Sequence, residues 1–165
     1  MAADITPSQM ADELRSMVLN LNPKDIGLTK DNCPHPVFGL VMETGYPQGF
    51  FTLSVIADGT TSLYFSNGGG IIGGGEHESV RKASDRLLAG ARHFYLKAQK
   101  VDTCPKPNPS QVIFYFLTFD GVRSYAAAEN DFGNKKDELS HLFYAAHDVI
   151  TELRKISEAA PEQEN

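Results

Sequence analysis

"VFGLVMETGYPQGFFTLSVIADGTTSLYFS" (residues 37–66) contains three apolar segments rich in β-branched and aromatic residues, separated by glycine-containing turns. The segments 37–44, 50–57 and 60–66 predict three strands. The first two are joined through GYPQG and the last two through Asp58-Gly59. An Asp-Gly pair between strands favours a tight hairpin, because both central residues of a type I′ turn need a positive φ. The stretch therefore predicts an antiparallel meander.

A second hairpin is predicted further along the chain. The segments 111–119 and 122–128 read as strands, and Asp120-Gly121 between them has the same turn chemistry as the first hairpin. A proline-rich connector, residues 104–110, comes directly before this hairpin.

Three helices are predicted around these strands. Residues 6–9 (TPSQ) supply a cap, a proline at the first helical position and a capping box, and Asn-Pro at 22–23 ends this first helix. Apolar residues at helical spacing predict a second helix from about 76 to 100 and a third from about 136 to 157. The apolar positions of the first helix are Met10, Leu14, Met17, Val18 and Leu21.

The order α-β-β-β-α-β-β-α predicts one α+β domain over residues 1–157, with a five-stranded antiparallel sheet and helices packed on it. Residues 158–165 form an acidic stretch that we expect to be a frayed tail. The element order, size and acidity resemble those of the small secretion chaperones of the type III class. No motif in these residues matches that family, so the resemblance concerns architecture alone.

Composition narrows the classes of function. The chain has 165 residues, 41% of them hydrophobic, and a formal net charge of -6, which disfavours binding to nucleic acid or to an anionic membrane. Residues 1–10 lack the basic and apolar regions of a secretion signal, and no apolar run is long enough to span a bilayer. With only two cysteines, the chain has no disulfide framework, and we expect a cytoplasmic protein.

The segment "SNGGGIIGGGEHES" (66–79) is the main candidate for a ligand or contact loop. It contains G-x-G-x-x-G before a predicted helix, but it follows the last strand of a meander rather than the first strand of a βαβ unit. Carboxylates also stand where a bound phosphate would lie, so we predict no cofactor. The candidate residues are Gly68, Gly69, Gly70, Ile71, Ile72, Gly73, Gly74, Gly75, Glu76, His77, Glu78 and Arg81.

Two further groups of polar residues suggest weaker candidates. Cys33 and His35 could bind zinc together with Cys104, but neither cysteine belongs to a C-x-x-C pair, so we predict free thiols and no metal site. Basic residues between Arg81 and Lys100 share one face of the predicted second helix. Such a face either accepts an acidic partner or is simply solvated.

We therefore expect a non-enzymatic protein-interaction or regulatory module, with a protein partner or a second copy of the chain as its ligand. No nucleophile–base set or complete phosphate loop is visible, and Ile71 and Ile72 form an apolar pair between glycines. The alternative is a small-molecule-binding protein or enzyme. Its site would lie at the glycine loop and at the start of the second helix, lined by Glu76, His77, Glu78 and Arg81.

Overall fold

One antiparallel sheet forms the centre of the protein in a computed structural model that describes residues 4–33 and 35–159. Its seven strands lie in the order β4-β3-β2-β1-β6-β7-β5, and each pairing between them is antiparallel. The strands are β1 (Val37–Tyr46), β2 (Gly49–Ile56), β3 (Thr61–Phe65), β4 (Gly70–Ile72), β5 (Gln99–Val101), β6 (Gln111–Thr118) and β7 (Gly121–Ala128).

Helices cover both faces of this sheet. Helices α2 (Glu78–Ala91) and α4 (Ser140–Ala159) pack against each other and, with the short helix α3 (Glu129–Gly133), cover one face. Helix α1 (Pro7–Leu19) and the following short 3-10 turn cover part of the other face. The helices pack on the sheet as expected, but on both of its faces, because the order of the elements alone does not decide which face α1 occupies.

The larger core lies under α2 and α4. Alternate residues of the central strands, such as Met42 on β1 and Phe114 on β6, point into it and are almost fully buried. Helical spacing over residues 136–157 indicates seven apolar positions, one just before α4 and six within it, and all seven are buried in the same core. They are Leu139, Leu142, Phe143, Ala146, Val149, Ile150 and Leu153.

Both predicted hairpins are confirmed, but their turn type differs from the prediction. The positive φ falls on Gly59 (99°) and Gly121 (120°), whereas neither Asp58 nor Asp120 has a positive φ. Only one residue of each turn therefore needs the left-handed region, and glycine supplies it.

The prediction of five strands is wrong, because the sheet has seven. The two extra strands, β4 and β5, lie at opposite edges, and each is only three residues long. Such short segments show no clear alternation, and β4 begins with a glycine, which has a low strand propensity. The predicted second helix also ends early, at Ala91, and a 3-10 turn (Tyr95–Lys97) leads into β5.

The helix ends agree with the sequence where the capping chemistry is local. Thr6 and Gln9 form the predicted capping box of α1, with bonds of 3.1 Å and 2.8 Å. Helix α4 begins at Ser140 rather than near residue 136, and it continues to Ala159. The predicted frayed tail thus starts within a helix, and its residues 160–165 lie outside the described part of the chain.

Within residues 4–33 and 35–159, no helix combines the length and apolarity that crossing a bilayer requires.

Candidate functional site

The glycine-rich stretch contains the edge strand β4, and its two isoleucines face opposite sides of the sheet. Ile71 pairs with Leu63 of β3 and is half-buried against the larger core. Ile72 pairs with Ser62 and is 67% exposed on the side of helix α1. The structure therefore separates the two residues that look like one apolar tip in the sequence.

Three of the candidate glycines make turns beside this strand. Gly68 and Gly69 form the turn between β3 and β4, and Gly73 follows β4; all three have positive φ. Backbone in this region strains any residue with a side chain, so the glycines fix the path of the edge strand.

The other three candidate glycines allow close packing. A β-carbon at Gly70 would collide with the carbonyl oxygen of Leu63, and one at Gly75 would collide with the backbone of the β2–β3 turn. Gly74 is buried against Leu153 of helix α4. These contacts explain the glycines structurally, without a bound phosphate.

The polar residues predicted at the start of α2 do not converge on a cavity. Glu76, His77, Glu78 and Arg81 are all exposed, and Glu78 forms a surface ion pair of 3.2 Å with Lys82. None of the four lines the two cavities described next. Their role in binding stays a prediction.

The first cavity, which we call the α1 groove, lies between helix α1 and the β2–β4 end of the sheet. It has a volume of about 270 Å³ and a largely apolar wall. Hydroxyl groups of the sheet form part of its floor. Its lining residues are Leu14, Met17, Val18, Leu21, Ile26, Ser54, Ile56, Asp58, Thr60, Ser62, Tyr64 and Ile72.

The apolar stripe of α1 is only partly covered by the sheet. Met10 and Met17, which are seven residues apart and so share one side of the helix, are 45% and 68% exposed. Of the residues of α1, only Ala11 and Leu19 are buried. Together with Ile72 across the groove, the methionines leave an apolar surface that no other described element covers.

Carboxylates lie at the α1 groove and at the surface beside it. Asp58 lines the groove itself, and Glu13 and Asp25 line the shallow surface that continues it past Met17 and Leu21. In the described chain, no lysine or arginine lines either surface. A ligand that enters from solvent therefore meets an apolar wall with a negative rim.

A buried ion pair holds α1 in place. Arg15 of α1 donates two hydrogen bonds of 2.8 Å to Glu43 of β1, which is fully buried. Thr52 of the neighbouring strand β2 donates a third bond, of 2.6 Å, to the same carboxylate. Burial lowers the pKa of Arg15, but the hydrogen bond and charge of Glu43 outweigh burial and raise it overall.

The same arginine fixes the proline-rich connector. Its Nη2 donates to the carbonyl oxygens of Cys104 at 2.8 Å and Pro105 at 3.2 Å. The hydroxyl of Tyr115 also donates to the oxygen of Pro105, at 2.5 Å. Burial, followed by the charge of Glu43, raises the pKa of Tyr115 well above its usual range. These contacts keep Arg15 and Glu43 occupied with structural partners.

One polar atom of the groove floor lacks such a partner. Tyr64 of β3 is 5% exposed, and its hydroxyl has no hydrogen bond to any described residue. Burial, with a further contribution from the charge of Glu43, raises the pKa of Tyr64 above its usual range. The hydroxyl therefore stays protonated, and it is a buried donor without a described acceptor.

The second cavity, the α4 cleft, lies on the other side of β4. It has a volume of about 590 Å³ and includes Gly70 and Ile71 of the predicted loop. Two aromatic rings, Phe51 and Phe65, pack edge to face at 6.2 Å in its wall, and Arg154 lies at its rim.

His147 adds a titratable group to the α4 cleft. Its Nε2 is buried and has no partner among the residues that the structure describes. Burial lowers the pKa of His147, against the opposing effect of Glu129 and Asp148. The imidazole is therefore held in its neutral form more strongly than in the unfolded chain.

The two cysteines contact different groups. Cys33 is buried and its thiol donates to the carbonyl oxygen of His35 at 3.3 Å, whereas burial raises the pKa of the half-exposed Cys104 thiol. Residues 4–33 and 35–159 contain no cluster of three or more His, Cys, Asp or Glu side chains arranged for a metal ion.

Arg15, Glu43 and Tyr64 are not among the residues that the sequence predicts for a site. Glu43 carries a usable signal, because a carboxylate inside the apolar strand 37–44 needs a buried partner. Its partner lies 28 residues earlier on a predicted helix, and nothing in the spacing identifies it.

The sequence matches no protein-family model, and no curated protein or solved structure matches it.

Proposed function

We propose that this protein is a non-enzymatic, cytoplasmic interaction module that binds an apolar segment of a partner protein, flanked by basic residues, in the α1 groove. The observation that carries the proposal is the uncovered apolar surface on both sides of the groove. Met17 and Ile72 are 68% and 67% exposed on opposite walls. Exposed apolar surface of this kind, rimmed by polar residues, is typical of interaction sites.

The residue types on the two walls suit a peptide ligand. Methionine is unbranched and flexible, so Met10 and Met17 can adapt to partners of different shape. Ile72 is the last residue of the edge strand β4, where pairing with Ser62 of β3 holds its backbone. Burying these side chains on binding would contribute roughly 25 cal/mol for each Å² of apolar surface removed from water.

The negative rim supports a basic partner. Asp58 lines the groove, Glu13 and Asp25 line the adjoining surface, and the described lining residues of both include no lysine or arginine. Complementary charge speeds association and disfavours acidic competitors.

The test compares two fluorescent synthetic peptides, one apolar core flanked by lysines and the same core flanked by glutamates. Fluorescence anisotropy should show binding of the lysine-flanked peptide and a much weaker signal for the other. The double variant Met17→Ser/Ile72→Ser should weaken binding at least about tenfold, which corresponds to about 1.4 kcal/mol. Equal affinity of wild type and double variant would refute the proposal.

Leu96→Ser is the matched control, because Leu96 is 70% exposed but lies outside the α1 groove. It should leave peptide binding unchanged. Sedimentation of the wild type addresses a different occupant. A dimer that Ile72→Ser dissociates would show that a second copy of the chain fills the groove, and the peptide proposal would then fail.

A small-molecule site in the α4 cleft is the second candidate. The specific observation is that Gly70 and Ile71 line a 590 Å³ cleft together with His147 and Arg154. Such a site would use helix α4 rather than the predicted Glu76 to Arg81 segment. Native mass spectrometry of the wild type and of Arg154→Met should show a bound species that only the wild type retains. A ligand-free wild type would argue against this candidate.

A further inference from the structure

A third cavity, which we call the basic cavity, lies far along the sheet from β4, where β5 and the β6–β7 hairpin meet the segment that precedes β1. Its volume is about 480 Å³, within the range of small-molecule sites. It shares no lining residue with the α1 groove or the α4 cleft. It is therefore independent of the function proposed above.

The charge of this cavity is opposite to that of the protein. Lys30, Lys100 and Arg123 line it, with Asp120 as the one carboxylate among its described lining residues, although the whole chain has a net charge of -6. Asp120 lies 3.5 Å from Lys30, and both side chains are well exposed. Exposed ion pairs of this kind contribute little to stability. Lys100 and Arg123 are left as the dominant charges.

Lys100 and Arg123 are directly opposite each other on neighbouring strands, in the register of β5 and β7. Like charges in this position repel each other and destabilise the pairing of the two strands. The ion pairs formed within the described residues include neither of them. An anion bound between the two cations would remove this repulsion.

Arg123 is held ready for such an anion. Its Nη1 donates to the carbonyl oxygen of Ala98 at 2.9 Å, and its guanidinium lies over the ring of Tyr95 at 5.9 Å. These contacts fix the orientation of the guanidinium before any ligand arrives, and they use only part of its donors. A preorganised cation loses less side-chain entropy on binding.

Aromatic rings form another wall of the basic cavity. Tyr95 and Phe119 line it, and Phe119 is itself supported by Phe38, with ring centroids 5.3 Å apart. Planar side chains that are fixed from behind offer a surface on which a ring can stack. The cavity thus combines a cationic pair with an aromatic surface.

We propose that the basic cavity binds a small organic anion that carries a planar ring, with its phosphate or carboxylate between Lys100 and Arg123 and its ring against Tyr95 and Phe119. The positions of the two cations and the two aromatic residues in one cavity carry this assignment. The binding is separate from the docking of a peptide in the α1 groove.

The test is an NMR titration of the ¹⁵N-labelled protein with four probes: adenosine monophosphate, benzoate, inorganic phosphate and adenosine. Amide signals of 99–101 and 121–124 should shift with adenosine monophosphate or benzoate, and the affinity for inorganic phosphate or adenosine should be at least about tenfold lower. Inorganic phosphate that binds as tightly as the ring-bearing anions would overturn the role of the aromatic wall. No saturable shift with any probe at millimolar concentration would overturn the whole proposal.

The double variant Lys100→Gln/Arg123→Gln should lose at least about tenfold in affinity for the probe that binds best. The matched control is Lys82→Gln/Arg86→Gln on helix α2, which removes the same two types of charge at exposed positions outside the cavity. It should bind like the wild type. If both double variants lose affinity equally, the effect comes from net charge and the site is refuted.

A thermal melt of Lys100→Gln without ligand tests the repulsion itself. Removing one of two opposed cations should leave the melting temperature unchanged or raise it. Added probe should then stabilise the wild type more than the variant. A lower melting temperature for Lys100→Gln would show that Lys100 stabilises the empty protein and would contradict the argument from register.

Discussion

Replacing Arg15 by methionine should destabilise the protein far more than a typical change on helix α1. Arg15 is 12% exposed at its side chain and provides two of the three hydrogen bonds to the fully buried Glu43. Methionine keeps the length of the side chain and the packing of its stem. The variant therefore leaves a buried carboxylate whose charge has lost its partner, with only Thr52 as donor.

Breaking a buried pair from one side typically destabilises by about 3–5 kcal/mol. The remaining exposure of Arg15 and the surviving bond from Thr52 place the expected loss near the lower end, at about 3 kcal/mol. With an unfolding slope of about 2 kcal/mol per molar urea, the midpoint should fall by about 1.5 M. The double variant Arg15→Met/Glu43→Leu should lose less than Arg15→Met alone, because no uncompensated charge remains.

Urea unfolding followed by circular dichroism measures these differences. Lys106→Met is the matched control, because Lys106 also links the connector to α1, through an exposed ion pair of 3.1 Å with Asp12. Its loss should change stability by less than about 1 kcal/mol. The reasoning is refuted if Arg15→Met shifts the midpoint no more than Lys106→Met, or if the double variant is less stable than Arg15→Met.

Three further predictions concern β4 and the α4 cleft. Because burial lowers the pKa of His147, the unfolded chain takes up a proton first as the pH falls, so stability present above pH 6.5 should be lost below that pH. Urea midpoints measured at several pH values should therefore decrease less with falling pH for His147→Gln than for the wild type. Equal decreases in the two proteins would contradict this prediction. Gly75→Ala should destabilise the protein by about 1–3 kcal/mol, because the added methyl group would collide with the backbone of the β2–β3 turn. Thermal melts that coincide with those of the wild type would show instead that this turn can move. Ile71→Ser should destabilise by about 1–2 kcal/mol, whereas Ile72→Ser should change stability by less than about 0.5 kcal/mol; equal effects in urea titrations would contradict the opposite orientation of the two side chains.

The sequence was sufficient for elements whose signals are local. The strands around Asp58-Gly59 and Asp120-Gly121 carry both an apolar pattern and a turn residue, and both hairpins are present. The capping box of α1 is likewise confirmed, because Thr6 and Gln9 are only three residues apart. Local hydrogen bonding and backbone preference decide these features without help from the rest of the chain.

Features that depend on distant parts of the chain were not predictable. The strand β4 is decided by its pairing with β3, although the glycines on both sides of it indicate a flexible loop. Helical spacing continues past Ala91, where the helix ends. Ala98, which fits this spacing, is buried in the core, but it lies between the 3-10 turn and β5 rather than on a helix. The candidate grooves depend on where α1 and α4 lie against the sheet, and that placement rests on contacts such as the one between residues 15 and 43.

The strand order has a consequence for how the chain folds during synthesis. The meander β1–β3 is complete by residue 65, but the central pairing of β1 with β6 needs residues 111–118, and α4 covers the larger core only after residue 140. Until β6 is made, the pairing edge of β1 is open, and until α4 is made, only α2 can cover the apolar side of the meander, a state that is prone to aggregation. A nascent chain that is slowed between residues 65 and 111 should therefore expose the pairing edge of β1 until β6 has been synthesised.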